Sequence, residues 1–561
     1  MKVYIFSIII FFVIIIEKFI IKYLEEKEEY KGKIEKIRNK IDNFFDTNYK
    51  IIFIVFAILI FFSRIYKFGE VPKNIGVDEA GAAYDAYTLA NYGVDRYLNS
   101  YPLYLINFGG GQSALYAYAT IPFIKLFGAN LISYRLPELL FYLMGIVVCY
   151  ILVNKFKNKK MALLYTFLII ICPWNIEASR VGLDCNLLAP MFMLDVLLLL
   201  SAKKNWHFIV AGISIGITLY TYALSWMLIP AFLITYIIYM LYLKKINFKQ
   251  IVFLGIPIFI FAIPLMYMIL LNHGIVQKTK FGIFSIPKLI LYRESEISIK
   301  NIFKDGMNSL DTIFMGSCNE LTLYFFEIPL FVIGYLIGIY KFIKSIKNRE
   351  FSFSGFITII FTILLITNLL VRIPTINKAN ILYLPMLYIT ALGIVNLSEN
   401  SYLIKGTIIV ALSILFIYFE INYYDGIEEN NGMSKYQDNG IMEVTEKIQN
   451  EVDAEKYILE KSVVQPYIYT LVQNKISPFI FENTKNKDLK DVLPVIIYSY
   501  DTYHFYINDE IFEEVRQKNN EKKYIFAIEK ENGYLKELLE KLESFGFAKE
   551  EINNYYLIKN Y

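Results

Sequence analysis

Long stretches without a charged residue constrain this chain more than any other feature of its sequence. Residues 206–243, 351–371 and 379–398 contain no Asp, Glu, Lys or Arg. A helix needs about 20 apolar residues to cross the hydrocarbon of a membrane, so the first run is long enough for two crossings. Because lipid offers no partner to backbone N–H and C=O groups, these runs must be helical. The chain is therefore predicted to be an integral membrane protein.

The composition supports the same fold class, since charged residues make up only 19% of the chain, against roughly 25% in soluble proteins. We predict an all-α polytopic membrane protein with about 12 transmembrane helices. The apolar windows lie near residues 3–22, 50–67, 132–153, 161–175, 186–202, 206–222, 225–243, 251–271, 321–340, 351–371, 379–398 and 403–420.

Short lysine-rich connections predict the orientation. They are residues 154–160, 203–204, 244–249 and 341–349, and all fall on one side if the helices alternate. Positively charged short loops are typical of the cytoplasmic side. We therefore expect a multi-pass protein of the plasma membrane, with the opposite, outer side receiving residues 68–131, 172–185, 272–320, 372–378 and everything after residue 421.

The last part of the chain has a different character, because polar residues return and no window is apolar enough to span a membrane. Residues 456–464, 523–528 and 554–558 read as strands, and residues 510–518 and 534–545 as helices. We predict three regions: an N-terminal helix and cytoplasmic linker (1–49), a transmembrane domain with external catalytic loops (50–422), and a small extracytoplasmic α/β domain (423–561). The last region contains no recognisable catalytic motif.

The first external loop carries the densest group of polar residues. Asp78 and Glu79 are adjacent, and Asp85 follows about two helical turns later, so Asp78 and Asp85 would share a helix face. A carboxylate beside a membrane-embedded cavity can act as a general base. The alternative is that these acids only start a helix, where they complement its dipole.

Three other segments contain candidate binding residues. Gly109–Gly111 precede a helix-like run, so they form either a phosphate site at a helix start or a tight turn. In the second external loop, Arg180 suits a phosphate oxygen, or pairs with a neighbouring acid such as Asp184. Lys378, in the last short external turn, either anchors lipid headgroups or binds a lipid-linked phosphate. Two further acids at membrane depth, Asp195 and Glu327, face the bundle interior, and hydrogen bonding to a neighbouring helix is the favoured role for Asp195.

The order of several short motifs resembles the bacterial members of the C-type membrane glycosyltransferases, a superfamily that includes the protein O-mannosyltransferases and the aminoarabinose transferases of lipid A. The matching segments are Arg64–Gly69, Pro72, Asp78–Ala80, Asp85–Ala86, Gly93, Asp95, Tyr101–Pro102, Gly111–Ser113, Leu115–Tyr116, Tyr134–Pro137, Pro173–Trp174 and Ser179–Leu183.

The resemblance implies an active site on the external face, a polyprenyl- or dolichyl-monophosphate sugar as donor, and inversion at the anomeric carbon. It assigns the catalytic acid of the first external loop to Asp78, with Glu79 beside it, and makes Arg180 and Lys378 candidates for the phosphate side. Relatives often have Glu where this chain has Asp184. The His-Pro-Pro run of the eukaryotic protein O-mannosyltransferases is absent, which argues against carrying over their protein acceptor.

We therefore expect a glycosyltransferase in which Asp78 and Glu79 are catalytic and Asp85, Arg180, Asp184 and Lys378 bind substrate or phosphate. Its partners would be a polyprenyl-phosphate sugar, a protein, lipid or cell-wall glycan acceptor, and membrane lipid. The net charge of +4 does not suggest nucleic acid. No cofactor is expected, although a divalent metal is left open. A membrane transporter and a polysaccharide ligase or polymerase are the alternatives.

Overall fold

A computed structural model gives the fold of most of the chain. It describes residues 2–73, 75–277, 280–290, 297–316, 321–371, 375–398, 401–425, 440–451, 453–460, 465–487, 496–530 and 533–561.

Every apolar window coincides with a helix in the described residues. The helices of the membrane part are α1 (Lys2–Glu25), α2 (Glu28–Thr47), α3 (Tyr49–Ile60), α4 (Val77–Tyr92), α5 (Leu115–Phe127), α6 (Leu131–Phe156), α7 (Lys159–Ile171), α8 (Pro173–Ala178), α9 (Leu188–Ser201), α10 (Asn205–Thr218), α11 (Ser225–Tyr242), α12 (Phe248–Asn272), α13 (Ile299–Met315), α14 (Glu327–Asn348), α15 (Phe353–Asn368), α16 (Tyr383–Leu397) and α17 (Tyr402–Asp425). A π-helix extends α3 (Phe61–Ile65), and 3₁₀ helices precede α9 (Asp184–Leu187) and α16 (Ile376–Leu382).

Within the described residues, seven helices are long and apolar enough to cross a membrane. They are Leu131–Phe156, Asp184–Ser201, Ser225–Tyr242, Phe248–Asn272, Glu327–Asn348, Ile376–Leu397 and Tyr402–Tyr424. Three shorter apolar helices are Leu115–Phe127, Asn205–Thr218 and Phe353–Asn368. The protein is therefore a multi-pass membrane protein, and the expected number of about 12 crossings stays a prediction. Many apolar side chains on these helices are exposed, such as Phe259 and Val410, which suits a surface facing lipid.

Two boundaries differ from the prediction. The connection at 341–349 was expected to be a loop, but α14 continues through it to Asn348. A lysine near the end of a membrane helix can extend its ammonium group into water while its backbone stays helical. The lysines of this segment are therefore compatible with a continuous helix. Similarly, α17 runs to Asp425, past the predicted domain boundary at 423.

The first of the predicted external loops, residues 68–131, is itself folded. Between α4 and α5 lies a hairpin of β1 (Tyr104–Asn107) and β2 (Gly110–Ser113), paired antiparallel from Tyr104 and Ser113 to Asn107 and Gly110. A second short hairpin, β3 (Lys280–Phe281) and β4 (Phe284–Ser285), precedes α13. The polar segments therefore form a layer of short elements over one end of the bundle.

The C-terminal domain is an α/β domain, as predicted. Its helices are α18 (Ile441–Ile448), α19 (Tyr467–Asn474), α20 (Pro478–Thr484), α21 (Asp509–Gln517) and α22 (Gly533–Ser544), and its strands are β5 (Ala454–Leu459), β6 (Ser499–Tyr500), β7 (Tyr503–His504), β8 (Lys523–Glu529), β9 (Ala548–Ile552) and β10 (Tyr555–Lys559). The sheet order is β6-β7-β5-β8-β10-β9, with β5 parallel to both β7 and β8.

This domain packs on α4. The Tyr84 hydroxyl donates to the Ile476 carbonyl at 2.9 Å, and the Tyr87 hydroxyl donates to the Lys475 carbonyl at 3.0 Å. Apolar side chains of α4, α5 and the domain share one buried cluster. The lysine-rich connection at 154–160 lies at the other end, because α6 starts beside α4 and is 26 residues long. Lys155 bonds Ser201 and Lys157 lies near Lys341, so the connections at 203–204 and 341–349 lie at the same end. The structure therefore separates a polar end from a lysine-rich end, and their sides of the membrane stay predicted.

Candidate active site

Asp78 lies in the first turn of α4, at the polar end of the bundle, and its side chain is exposed. The Asn107 amide donates to Asp78 Oδ1 at 3.0 Å. The Gln112 amide also reaches the Asp78 backbone carbonyl, at 3.5 Å. Asn107 and Gln112 lie on opposite strands of the β1–β2 hairpin, so the hairpin orients this carboxylate.

The turn of the hairpin settles the role of the glycine run. Phe108 and Gly109, its two central residues, have φ values of 48° and 83°. Positive φ at both central positions matches the right-handed twist of the flanking strands. Gly109 adopts this conformation without steric cost. The run therefore forms a tight turn that continues into β2, and it does not start a helix.

Glu79 points in the other direction, into the protein. Its carboxylate is fully buried and pairs with Arg135 of α6 through two hydrogen bonds, of 2.6 and 3.0 Å. Arg135 also donates to the Pro72 carbonyl at 2.6 Å. Adjacent helix residues are about 100° apart around the axis, so neighbouring acids meet different surroundings. In this structure Glu79 holds the first loop to α6.

Glu79 also reaches the second loop, since the Gly182 N–H donates to Glu79 Oε1 at 2.8 Å. A side chain at Gly182 would collide with the Tyr116 hydroxyl and approach the Glu79 carboxylate. The Tyr116 hydroxyl in turn donates to the Tyr134 carbonyl. The second loop can therefore approach this closely only with glycine at this position.

Asp184 lies at the start of the 3₁₀ helix before α9, and only 8% of its surface is exposed. Its Oδ2 accepts the Ser113 N–H at the end of β2, at 2.9 Å. Its carboxylate is close enough to Asp78 and Glu138 to interact with both electrostatically. Glu138 is a fully buried acid of α6, one turn after Arg135. The structure therefore groups the carboxylates of both loops with one from α6.

Asp85 lies on the same side of α4 as Asp78, as expected from their spacing, but it is fully buried. Arg96 pairs with both of its oxygens, with contacts of 2.8–3.2 Å, and also donates to the Gly81 carbonyl. This geometry assigns Asp85 to holding the loop together. Its predicted contact with substrate stays untested.

Arg180 is also fully buried, and its guanidinium donates to five acceptors. They are the carbonyls of Ser63, Tyr66, Lys67 and Val71 and the hydroxyl of Tyr424, at 2.9–3.3 Å. A guanidinium has five N–H donors, so in this conformation none is left for a phosphate oxygen. The geometry favours a role in binding the carbonyls after the π-helix, and phosphate binding by Arg180 stays untested.

Lys378 lies in the 3₁₀ helix before α16, half-exposed. This helix packs against the 3₁₀ helix of Asp184. Asn380 links the two, because its amide donates to Asn186 Oδ1 at 2.8 Å while its oxygen accepts the Trp174 indole N–H at 2.7 Å. The structure thus places Lys378 on an element adjoining that of Asp184.

The sequence did not identify several residues that build this site. Asn107 and Glu138 carry no local signal, and Gln112 lies in the matched motif Gly111–Ser113 without an assigned role. Arg135 lies in one of the matched motifs but had no assigned role. At membrane depth, Asp195 accepts hydrogen bonds from Ser214 and Thr218 of α10 at 2.5 and 2.7 Å, which confirms its expected helix-to-helix role.

No ion site emerges in the part of the chain that the structure describes, where no group of three or more His, Cys, Asp or Glu side chains converges in a way that could hold a metal ion. The expectation that no cofactor is needed, with a divalent metal left open, remains a prediction.

Comparison with known proteins finds one matching family model and solved structures with a similar fold. A family model described as dolichyl-phosphate-mannose-protein mannosyltransferase matches residues 112–268. This segment includes Arg135, Glu138, Arg180 and Asp184 but ends short of Asp78. None of the curated proteins compared matches the chain.

Among solved structures, the crystal structure of ArnT from Cupriavidus metallidurans in the apo state has a TM-score of 0.55 at 10% identity, covering 92% of this chain and 98% of that one. The same protein bound to undecaprenyl phosphate has a TM-score of 0.53 at 11% identity, covering 91% and 97%. The uncovered part of this chain is shorter than its C-terminal domain, so the shared fold extends into that domain. The predicted resemblance to the C-type membrane glycosyltransferases is confirmed.

Proposed function

We propose that this protein, with the fold of a C-type membrane glycosyltransferase, transfers a sugar from a polyprenyl-phosphate donor to an acceptor hydroxyl at the outer membrane face, with inversion. One observation carries the proposal. Of two adjacent acids, Asp78 is exposed and oriented by Asn107, whereas Glu79 is fully buried in an ion pair. The Asp78 carboxylate is therefore accessible to a substrate, while the Glu79 carboxylate fixes the position of α4.

Asp78 acts as the general base in this mechanism. Its carboxylate takes the proton of the acceptor hydroxyl while the hydroxyl oxygen attacks the anomeric carbon. The bond between that carbon and the phosphate oxygen breaks, and the polyprenyl phosphate leaves with the electron pair. A single displacement of this kind inverts the anomeric configuration. Positioning by Asn107 and Gln112 reduces the motion needed to reach the transition state.

Negative charge develops on the leaving phosphate and needs a cation. We assign this role to Lys378, because it is half-exposed on an element packed against the one that carries Asp184. A cation placed where charge develops lowers the barrier more than it strengthens ground-state binding. Arg180 becomes a positioning residue, since its donors are engaged by backbone carbonyls and Tyr424.

The other acids keep the site in shape. Glu79 joins α4, α6 and the second loop, and Asp184 joins the second loop to β2. Asp85 stabilises the segment after α4 through Arg96. Loss of any of these contacts would displace Asp78 from the acceptor, and a displacement of about 1 Å can lower a rate about 100-fold.

The comparisons support a lipid-linked donor. The matched ArnT structure has undecaprenyl phosphate bound, and the matched family is described by a dolichyl-phosphate mannose donor. Both molecules are polyisoprenoids with a phosphate at one end, and a sugar donor built on such a carrier suits a site at one end of a helix bundle. Protein, lipid and cell-wall glycan acceptors all present the hydroxyl that the mechanism requires.

The decisive experiment uses purified protein in lipid nanodiscs with polyprenyl-phosphate mannose, glucose and aminoarabinose as donors. We expect release of polyprenyl phosphate from at least one donor, dependent on an added hydroxyl acceptor, and a product of opposite anomeric configuration by NMR. Asp78→Asn protein is the matched negative control. Retention of configuration would overturn the single displacement. Transport of a sugar or lipid-linked sugar across proteoliposomes, without transfer, would favour the transporter.

A further inference from the structure

A large cavity among the described residues lies away from the candidate active site. It has a volume of about 1110 Å³ and opens between α3, α7, α16 and α17. Asn158, at its rim, follows α6 directly. Arg135 and Lys157 are separated by roughly 33 Å along α6 at 1.5 Å per residue. The cavity therefore belongs to the lysine-rich end and cannot contribute to chemistry at Asp78.

The walls of this cavity are apolar. Its lining includes Val55 and Phe56 of α3, Leu164 and Phe167 of α7, and Ile409 of α17. The volume exceeds the roughly 300–1,000 Å³ of ordinary small-molecule sites. Helices that surround such a groove at membrane depth offer a mainly apolar surface that suits hydrocarbon chains, with few polar side chains such as Ser354 and Asn396.

The rim of the cavity is strongly basic. Lys157, Lys160, Lys341 and Lys405 line it, and no acidic residue is among the lining side chains that the structure describes. Lys157 and Lys341 come from different helices, yet they are close enough to repel each other. Burial, and then this repulsion, lower the pKa of Lys157. Lys157 and Lys341 therefore concentrate positive charge at one place on the rim, and such a place attracts an anion.

Within the part of the chain that the structure describes, the ammonium groups of Lys157 and Lys341 make no hydrogen bond or ion pair with protein. An anion between these two ammonium groups would offset their mutual repulsion. It would also replace the contacts with water that the groups lose through burial. The ligand must combine this anionic group with long apolar chains, because the basic rim leads directly into the apolar groove.

We propose that this cavity binds an anionic glycerophospholipid of the leaflet at the lysine-rich end, with its phosphate between Lys157 and Lys341 and its acyl chains along α3, α7 and α17. Basic pockets between transmembrane helices on the cytoplasmic side bind anionic headgroups in this way. The bound lipid would brace α17, the last helix before the C-terminal domain. The proposal is independent of the proposed transfer reaction.

The test measures lipid binding to the full-length protein in a neutral detergent by native mass spectrometry, with phosphatidylglycerol and phosphatidylcholine compared. The wild type should bind phosphatidylglycerol preferentially and gain thermal stability from it. Each lysine contributes a factor of about five to binding an anionic lipid, so Lys157→Gln/Lys341→Gln should bind about thirty-fold more weakly and lose the thermal shift.

The matched control is Lys344→Gln/Lys347→Gln, which removes the same charge from exposed positions of α14 outside the cavity. It should behave like the wild type. Equal losses in both double variants would overturn the site, as would equal binding of the two lipids by the wild type. Binding of polyprenyl phosphate but not phosphatidylglycerol would overturn the choice of lipid. If the first variant fails to fold, Lys160→Gln/Lys405→Gln tests the same rim.

Discussion

The Gly182 N–H donates to the Glu79 carboxylate at 2.8 Å across 103 residues of sequence. The same carboxylate is paired with Arg135 of α6. A single buried acid therefore joins the first loop, the second loop and a membrane helix. Because Asp78 is the next residue in α4, this junction sets the position of the proposed base.

Glu79→Gln should lower stability more than it lowers the chemical rate, because it leaves the Arg135 guanidinium buried without a counter-charge. Removing one partner of a buried ion pair costs about 3–5 kcal/mol. Thermal unfolding in detergent measures the loss. The double variant Glu79→Gln/Arg135→Gln should recover part of it. If the double variant is no more stable than Glu79→Gln, the pair does not hold the loops together.

Asp78→Asn should lower the transfer rate by about 10²–10⁴-fold, the usual contribution of a general base. The amide keeps the size of the side chain and removes its basic oxygen. Release of polyprenyl phosphate measures the rate, and an unchanged melting temperature shows that the fold is intact. Asp195→Asn is the matched control, since Asp195 bonds Ser214 and Thr218 within the bundle, and it should retain activity within about tenfold. Near-normal turnover by Asp78→Asn would shift the role of base to Asp184.

Arg180→Ala and Lys378→Ala should separate structure from phosphate binding. Arg180→Ala removes the guanidinium that donates to four carbonyls, and the bonds to Ser63 and Val71 are buried, so we expect a loss of about 2–3 kcal/mol or more in stability. Lys378→Ala should leave stability nearly unchanged but lower kcat about 10- to 100-fold. Unfolding curves and donor kinetics distinguish the two. A stable Arg180→Ala protein with weakened donor use would restore Arg180 as the phosphate ligand.

Asp95, in the loop after α4, should make stability depend on pH. Burial, and then the charge of Asp85, raise its pKa to about 7, although hydrogen bonds from Asn99 and Tyr97 oppose the shift. A folded-state pKa above the unfolded value of about 3.9 means that the folded protein holds the proton more tightly. Stability from this group is thus present below about pH 4 and is lost as pH rises through about 7. Asp95→Asn should flatten the decline in melting temperature between pH 5 and 8, and an unchanged pH profile would contradict the shift.

Cysteine labelling tests the two ends of the bundle. With Cys318→Ser as background, Asn520→Cys in the C-terminal domain should react with a membrane-impermeant maleimide in intact cells, and Lys347→Cys should react only after permeabilisation. The three other native cysteines are buried, and both new positions are exposed. The reverse pattern would place the polar end, including Asp78, on the cytoplasmic side.

The sequence determined what depends on local chemistry. Charge-free runs such as 379–398 must be helical in lipid, and every apolar window coincides with a helix. The strands near residues 456, 523 and 554 were also predictable, because short runs rich in Tyr, Ile, Phe and Val are a local property of the sequence. The ordered motifs of the first two loops carried the resemblance to the C-type membrane glycosyltransferases and drew attention to Asp78.

Only the tertiary structure decided what each of those polar residues does. Asp78 and Glu79 have the same local context, yet one is exposed and the other fully buried, because the rotation between neighbouring helix residues turns Glu79 towards Arg135. Arg180 has a side chain suited to binding phosphate, but carbonyls after the π-helix accept hydrogen bonds from its guanidinium. The partners of Arg180 lie up to 244 residues away along the chain, and the sequence pattern carries no information about contacts that form only when distant segments pack.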